Sequence, residues 1–171
     1  MINYLNGILQ FVSEDYIILD VNNIGLKIHI PTTVTKQLPA VNEKVKILTY
    51  LHIRENDFSL YGFIDSFQVD MFKLLLSVSG IGPKVAINTL SFFTPQKLSE
   101  SIISNNINAL TAIPGVGKKT AKKIIFELKD KITEKYEILK SSTEISSDKL
   151  LEAINALEIL GYPPAISMDT I

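Results

Sequence analysis

Apolar and polar residues alternate along Gly25-Leu26-Lys27-Ile28-His29-Ile30, the period of a strand with one buried face. Tyr16-Ile17-Ile18-Leu19-Asp20-Val21 and Val45-Lys46-Ile47-Leu48-Thr49-Tyr50-Leu51 are β-branched and aromatic. Polar turns such as Ser13-Glu14-Asp15 and Asn22-Asn23 bound them. Leu60-Tyr61-Gly62-Phe63 reads as a closing strand. Five or six short strands within residues 1–64 predict a small barrel, which leaves no exposed edge. Thr32 to Leu38 fits one short helical turn between strands. Near Asp65 the period becomes helical. Val69, Phe72, Leu75, Leu76 and Val78 share a helical spacing, with the stop Ser79-Gly80 after them. Thr94-Pro95 is a helix start, because proline at the first helical position loses no needed hydrogen bond. Leu98, Ile102 and Ile103 form the stripe of that helix. The longest predicted helix runs from Lys118 to about Tyr136, with Ala121, Ile124, Ile125, Leu128 and Ile132 facing inward. Residues 141–148 are small and polar, a flexible linker. Leu150, Leu151, Ile154, Leu157 and Leu160 then mark one amphipathic helix ending at Gly161.

Composition narrows the function. Hydrophobic residues make up 46 % of the 171, enough for a packed core. With no cysteine, disulfides, thiolate metal sites and cysteine nucleophiles are excluded. Two histidines, His29 and His52, are too few for a histidine-based metal site. There is no membrane-length apolar run and no basic N-terminal signal, so a cytoplasmic protein is expected. The net charge of −1 does not announce a nucleic-acid binder. The distribution says more: between residues 118 and 135 seven lysines face three acidic residues, a local net of +4. Such a run also fits a solvated helix face.

The most informative feature is a repeat at a spacing of 35 residues. Ser79-Gly80-Ile81-Gly82-Pro83-Lys84-Val85-Ala86 aligns with Pro114-Gly115-Val116-Gly117-Lys118-Lys119-Thr120-Ala121. Each copy follows a helical stretch and opens another helix. Glycine takes left-handed backbone angles and lets a ligand approach the main chain closely. The amides of a helix N-terminus lack intrahelical partners and, with the helix dipole, make an anion site. Lys84 and Lys119 add a charged donor two residues after the second glycine, and Ile81 or Val116 plugs the bend into the core. A single Gly-x-Gly is no more than a helix-cap turn; two in register, each followed by lysine, point to a repeated phosphate grip. A P-loop would need glycine at Ala112, Ser or Thr at Lys119 and a preceding strand. A Rossmann fingerprint would need glycine at Val85 or Thr120.

The paired bends resemble the helix-hairpin-helix motif, which holds DNA phosphates across the minor groove without reading bases. The chain as a whole resembles the RuvA family, the Holliday-junction-binding subunits of the bacterial branch-migration complex. The resemblance runs over about 160 residues. It rests on Gly7, Arg54-Glu55, Leu60-Tyr61-Gly62-Phe63, both hairpins, Lys118-Lys119-Thr120-Ala121-Lys122-Lys123, Ala156-Leu157 and Leu160-Gly161-Tyr162. It implies an α+β multidomain chain: an OB-fold barrel over 1–64 for tetramerisation, a tandem helix-hairpin-helix domain over 65–140, the linker 141–148, and a partial C-terminal helical domain over 149–171. It further implies a homotetramer, or an octamer on DNA, holding a four-way junction open and square-planar. The hexameric ATPase RuvB is the implied motor partner, and the resolvase RuvC is a further candidate partner. The implied DNA-binding residues are Gly80, Ile81, Gly82, Lys84, Gly115, Val116, Gly117, Lys118, Lys119, Lys122 and Lys123.

The family's acidic pin, a loop that repels phosphates at the crossover, maps to Arg54-Glu55-Asn56-Asp57. Asn56 interrupts the usual adjacent carboxylates, leaving Glu55 as the pin with Asp57 as a substitute, or the loop as an ordinary polar tip. The family's C-terminal domain is a three-helix bundle, whereas only ten residues follow Gly161 here. A truncated chain, a reduced domain or a helix that folds on its partner all fit. Leu151, Leu157 and Tyr162 are the residues expected to meet RuvB, with docking of that helix on its own core as the alternative. No catalytic residue, metal or cofactor is expected. A DNA-cleaving or base-excising enzyme would need a positioned lysine or aspartate beside a base pocket. Asp130, 13 residues beyond Gly117, reads instead as a solvated helix residue. A single-strand binder would need paired aromatics on a basic face. Phe11, Tyr16, Tyr50 and Phe58 read as core or subunit contacts. Aspartate at Gly82 or Gly117 is expected to abolish binding, through backbone strain and phosphate repulsion.

Overall fold

In a computed structural model, residues 2–55 and 57–134 are described. The linker 141–148, the segment 149–171 with Leu151, Leu157 and Tyr162, and Asn56 at the pin lie outside them. The chain divides into two compact units, Met1–Lys129 and Asp130–Ile171. Of the second, only residues 130–134, which are helical, are described.

Five strands form a closed barrel in the order β1-β2-β3-β5-β4: β1 (Tyr4–Val12), β2 (Tyr16–Val21), β3 (Ile24–His29), β4 (Lys44–Arg54) and β5 (Asp57–Phe63). All neighbouring pairs are antiparallel except β3 with β5, which meet in parallel at Ile28–Leu60 and His29–Tyr61. This is the OB-like barrel that the strand count predicts. Alternation drives its closure: Leu9, Ile17, Leu19, Ile28, Ile47 and Leu60 turn inward and are buried. Two glycines make room for that core. A Cβ at Gly62 would stand 2.5 Å from Ile28 and 2.7 Å from Ile47, and one at Gly7 would meet Leu19 at 2.8 Å. The short α1 (Thr32–Thr35) buries Val34 against the same core.

Five further helices follow: α2 (Ser66–Ser77), α3 (Pro83–Phe92), α4 (Pro95–Ile103), α5 (Ile107–Thr111) and α6 (118–134). Side-chain caps start three of them. Asp65 caps α2 by accepting from the Gln68 amide at 2.7 Å, while the Gln68 side-chain oxygen accepts from the Ile64 amide at 3.3 Å, a variant of the capping box. Thr94 caps α4 with Pro95 in its first turn, as its sequence predicts. Asn106 caps α5 by accepting from the Ala109 amide at 3.0 Å. The apolar stripes fall where the helical period puts them. Leu98 and Ile102 on α4 are buried while Ile103 is half-buried; Ala121, Ile124, Ile125 and Leu128 on α6 are buried, and so is Ile132.

Two contacts fix the helices to the barrel. Phe72 of α2 packs on Tyr50, Tyr61 and Phe63, with ring centroids 5.1 to 5.4 Å apart. The Ser91 hydroxyl of α3 accepts from the Thr32 amide at 3.1 Å, and the Thr33 hydroxyl donates to the Leu90 carbonyl at 3.0 Å. The closing strand Leu60-Tyr61-Gly62-Phe63 therefore serves two interfaces, the barrel core and the helical layer. Not every barrel aromatic joins them: Phe11 and Phe58 are exposed.

Candidate nucleic-acid interface

The 35-residue repeat is a repeat of hydrogen bonds. In the first copy the Val78 amide donates to the Leu75 carbonyl and Ile81 to Val78; Ala86 donates to Gly82. In the second, Ile113 donates to Leu110, Val116 to Ile113 and Ala121 to Gly117. The paired lengths agree within about 0.1 Å: 3.1 and 3.2, 3.0 and 3.0, 3.0 and 2.9 Å. Gly80 and Gly115 take φ of +92° and +91°. Each lies in the turn after a helix, in the left-handed region that glycine enters freely. Ile81 and Val116 are 6 % and 4 % exposed, so each bend is pinned to the core by its apolar plug.

The second glycine of each pair has no such structural reason. Gly82 caps α3 at φ −94°, ψ 174°, ordinary extended angles, and Gly117 is absent from the positive-φ glycines. A Cβ on either would meet nothing within 4 Å. The fold therefore tolerates a side chain at both, and the backbone strain expected there is confined to Gly80 and Gly115. What Gly82 and Gly117 supply is an uncovered main chain. The amides of Gly80, Gly82, Gly115 and Gly117 donate to no group among the described residues. They adjoin the positive ends of α3 and α6; in α3, Pro83 has no N–H and the Val85 amide donates to the Gly82 carbonyl at 3.1 Å.

The lysines divide by geometry. Lys84, Lys118, Lys119 and Lys122 are exposed and make no ion pair or side-chain hydrogen bond among the described residues. Lys123 differs: its ammonium donates to the Ser79 carbonyl at 2.8 Å and lies 3.8 Å from the Glu127 carboxylate. A Cβ at Gly115 would touch the Val85 methyl of α3 at 3.3 Å. The two bends are thus neighbours, each leaning on the helix of the other. Sequence reasoning placed Lys123 with the DNA-facing lysines; the tie to Ser79 is a long-range contact that periodicity does not reveal. The surface so formed offers clustered amides, two helix N-termini and four ammonium groups that make no ion pair among the described residues: it suits bound phosphates.

Elsewhere, Glu55 is exposed at the β4–β5 tip, beside the Arg54–Asp57 pair that opens the hairpin. The Arg54 Nε donates to His52 Nε2 at 3.2 Å. Asp130 is exposed on α6. Among the described residues no cluster of His, Cys, Asp or Glu could hold a metal ion, and no helix is long and apolar enough to cross a membrane.

Comparison with known proteins agrees with this geometry. Residues 1–62 match the RuvA N terminal domain, and residues 72–130 match the SAM-like helix-hairpin-helix tandem. Among curated relatives, the Holliday junction branch migration complex subunit RuvA of Alkaliphilus oremlandii is 44 % identical over 164 residues, covering 95 % of this chain and 84 % of its own. That of Caldanaerobacter subterraneus subsp. tengcongensis is 40 % identical over 162 residues, covering 95 % and 84 %. That of Acetivibrio thermocellus is 37 % identical over 172 residues, covering 96 % and 85 %. With barrel, paired hairpins and relatives in agreement over nearly its whole length, the chain belongs to the RuvA family of Holliday junction branch migration complex subunits.

Proposed function

We propose that this chain is a non-catalytic DNA-binding subunit that grips the duplex arms of a four-way junction by their phosphates and holds the junction open for a motor. One observation carries the reading. Gly82 and Gly117 sit where the fold has room for any small side chain, at ordinary backbone angles, directly before helix N-termini. A position that the fold leaves free but glycine occupies twice is explained by a ligand that comes within contact of the main chain. Phosphate is the ligand that free amides, helix dipoles and lysines favour together. The contacts are Gly80, Gly82, Gly115 and Gly117 through their amides and Lys84, Lys118, Lys119 and Lys122 through their charge, with Ile81 and Val116 holding the bends rigid.

The rest of the reading follows from the family. Four copies associate through their barrels around the crossover, singly or as two facing tetramers, in the cytoplasm. Glu55, with Asp57 two residues on, serves as the acidic pin that keeps strands apart. RuvB supplies ATP hydrolysis and is recruited through the segment that contains Leu151, Leu157 and Tyr162; RuvC works on the same opened junction. The test is a titration of labelled four-way junction and of linear duplex of the same sequence. Tight binding of the junction and much weaker binding of the duplex is expected. Equal affinity for the two would refute the proposal.

A further inference from the structure

The two bends reach the same shape by different means. In each, an amide closes a four-residue turn: Ile81 to Val78 and Val116 to Ile113, both at 3.0 Å. The third residue of each turn, Gly80 or Gly115, has the positive φ of a type II turn. In the second bend the preceding residue is Pro114, and a Pro-Gly centre favours type II by itself. In the first bend Ser79 stands there and carries no ring. A Ser-Gly centre also accepts type I, in which the central peptide is turned over and its amide and carbonyl exchange sides.

The Ser79 carbonyl that receives the Lys123 ammonium belongs to that central peptide, and so does the Gly80 amide. In a trans peptide the two point in opposite directions. We propose that Lys123 is a positioning residue: by holding the Ser79 carbonyl on the inner side of the bend, it aims the Gly80 amide outward at phosphate and does for the first bend what Pro114 does for the second. A cation on the carbonyl also polarises the peptide and makes its N–H a better donor. The asymmetry of the repeat agrees. Asn88 occupies the position in the first copy that Lys123 holds in the second, and no side chain donates to the Pro114 carbonyl among the described residues. Lys123 acts through a peptide and need not touch DNA.

The inference rests on the phosphate-binding reading, and its test separates the two. Lys123→Met keeps the stem and removes the charge. In the free protein, the Gly80 amide resonance is expected to shift while that of Gly115 stays. The affinity for a four-way junction is expected to fall about 3- to 10-fold, as the competent turn becomes only partly populated. The slope of log affinity against log salt should stay unchanged, because no phosphate contact is lost. Ser79→Pro should rescue Lys123→Met in both readouts. The substitution fits: Val78 already has φ −79° and ψ 120°, the region required before proline, and the exposed Ser79 donates its amide to no group among the described residues. Lys123→Arg should retain binding. An unmoved Gly80 resonance in Lys123→Met would overturn the inference, as would unchanged affinity. So would a slope reduced by about 1 with no rescue by Ser79→Pro, which would make Lys123 a phosphate ligand. If the wild-type protein fails to prefer the junction, the DNA reading falls, while the Gly80 shift in the free protein still judges the tie.

Discussion

Gly117→Asp separates binding from folding. Aspartate is a better helix cap than glycine, by a few tenths of a kcal/mol. Replacing glycine at an angle any residue accepts also removes freedom from the unfolded chain, worth about 0.4–1 kcal/mol. The new Cβ meets nothing within 4 Å. These contributions all point one way, so stability should stay level or rise by up to about 1 kcal/mol. Binding should collapse. A carboxylate about 5 Å from a phosphate at an effective dielectric near 20 is repelled by about 3 kcal/mol. Covering one amide forfeits a hydrogen bond to a charged group, about 1.5–3 kcal/mol more. The sum corresponds to a loss of three orders of magnitude or more, taking about 1.4 kcal/mol per factor of ten. Urea unfolding and fluorescence anisotropy with a labelled junction read the two quantities on one preparation. Near-wild-type binding by the folded variant would refute the amide grip. Destabilisation by more than about 1.5 kcal/mol would mean that the fold, and not the ligand, demands the glycine, since cap and entropy together allow no such loss.

The first glycines should behave in the opposite way. Gly115→Ala forces an alanine to φ +91° against the Val85 methyl, so thermal unfolding should show a loss of about 1–2 kcal/mol. Lys119→Gln should leave stability unchanged and lower the salt slope of junction binding by about 1; an unchanged slope would remove Lys119 from the contact set. Ile81→Ala takes a buried plug from the first bend and should cost about 2–4 kcal/mol in urea unfolding. Glu55→Gln should preserve affinity for linear duplex while altering the fluorescence of 2-aminopurine placed at the crossover; no change there would make Glu55 an ordinary tip residue.

Local signals carried much of the fold. The alternation at 25–30, the Thr94-Pro95 start and the inward stripe of α6 each express a rule that acts within one or two turns, and each appears in the structure. The repeat was readable because glycine and lysine recur at one spacing. Three things were not. The Asp65 cap with its Gln68 return bond lies outside the hydrophobic period, although its two residues stand at the proper interval. The different duties of the paired glycines depend on backbone angles and on empty space, which composition does not encode. The Lys123–Ser79 bond joins residues 44 apart and exists only once two motifs pack together. The changes from Ser79 to Pro114 and from Asn88 to Lys123 between the copies are its visible traces.

The sharpest test of the central claim uses the eight glycines themselves. Protein labelled with 15N only in glycine gives few amide signals, and a titration with four-way junction follows each. Gly80, Gly82, Gly115 and Gly117 are predicted to shift in parallel with binding, while Gly7, Gly25 and Gly62 of the barrel strands stay in place. Bound protein whose four hairpin glycines do not move would contradict the account.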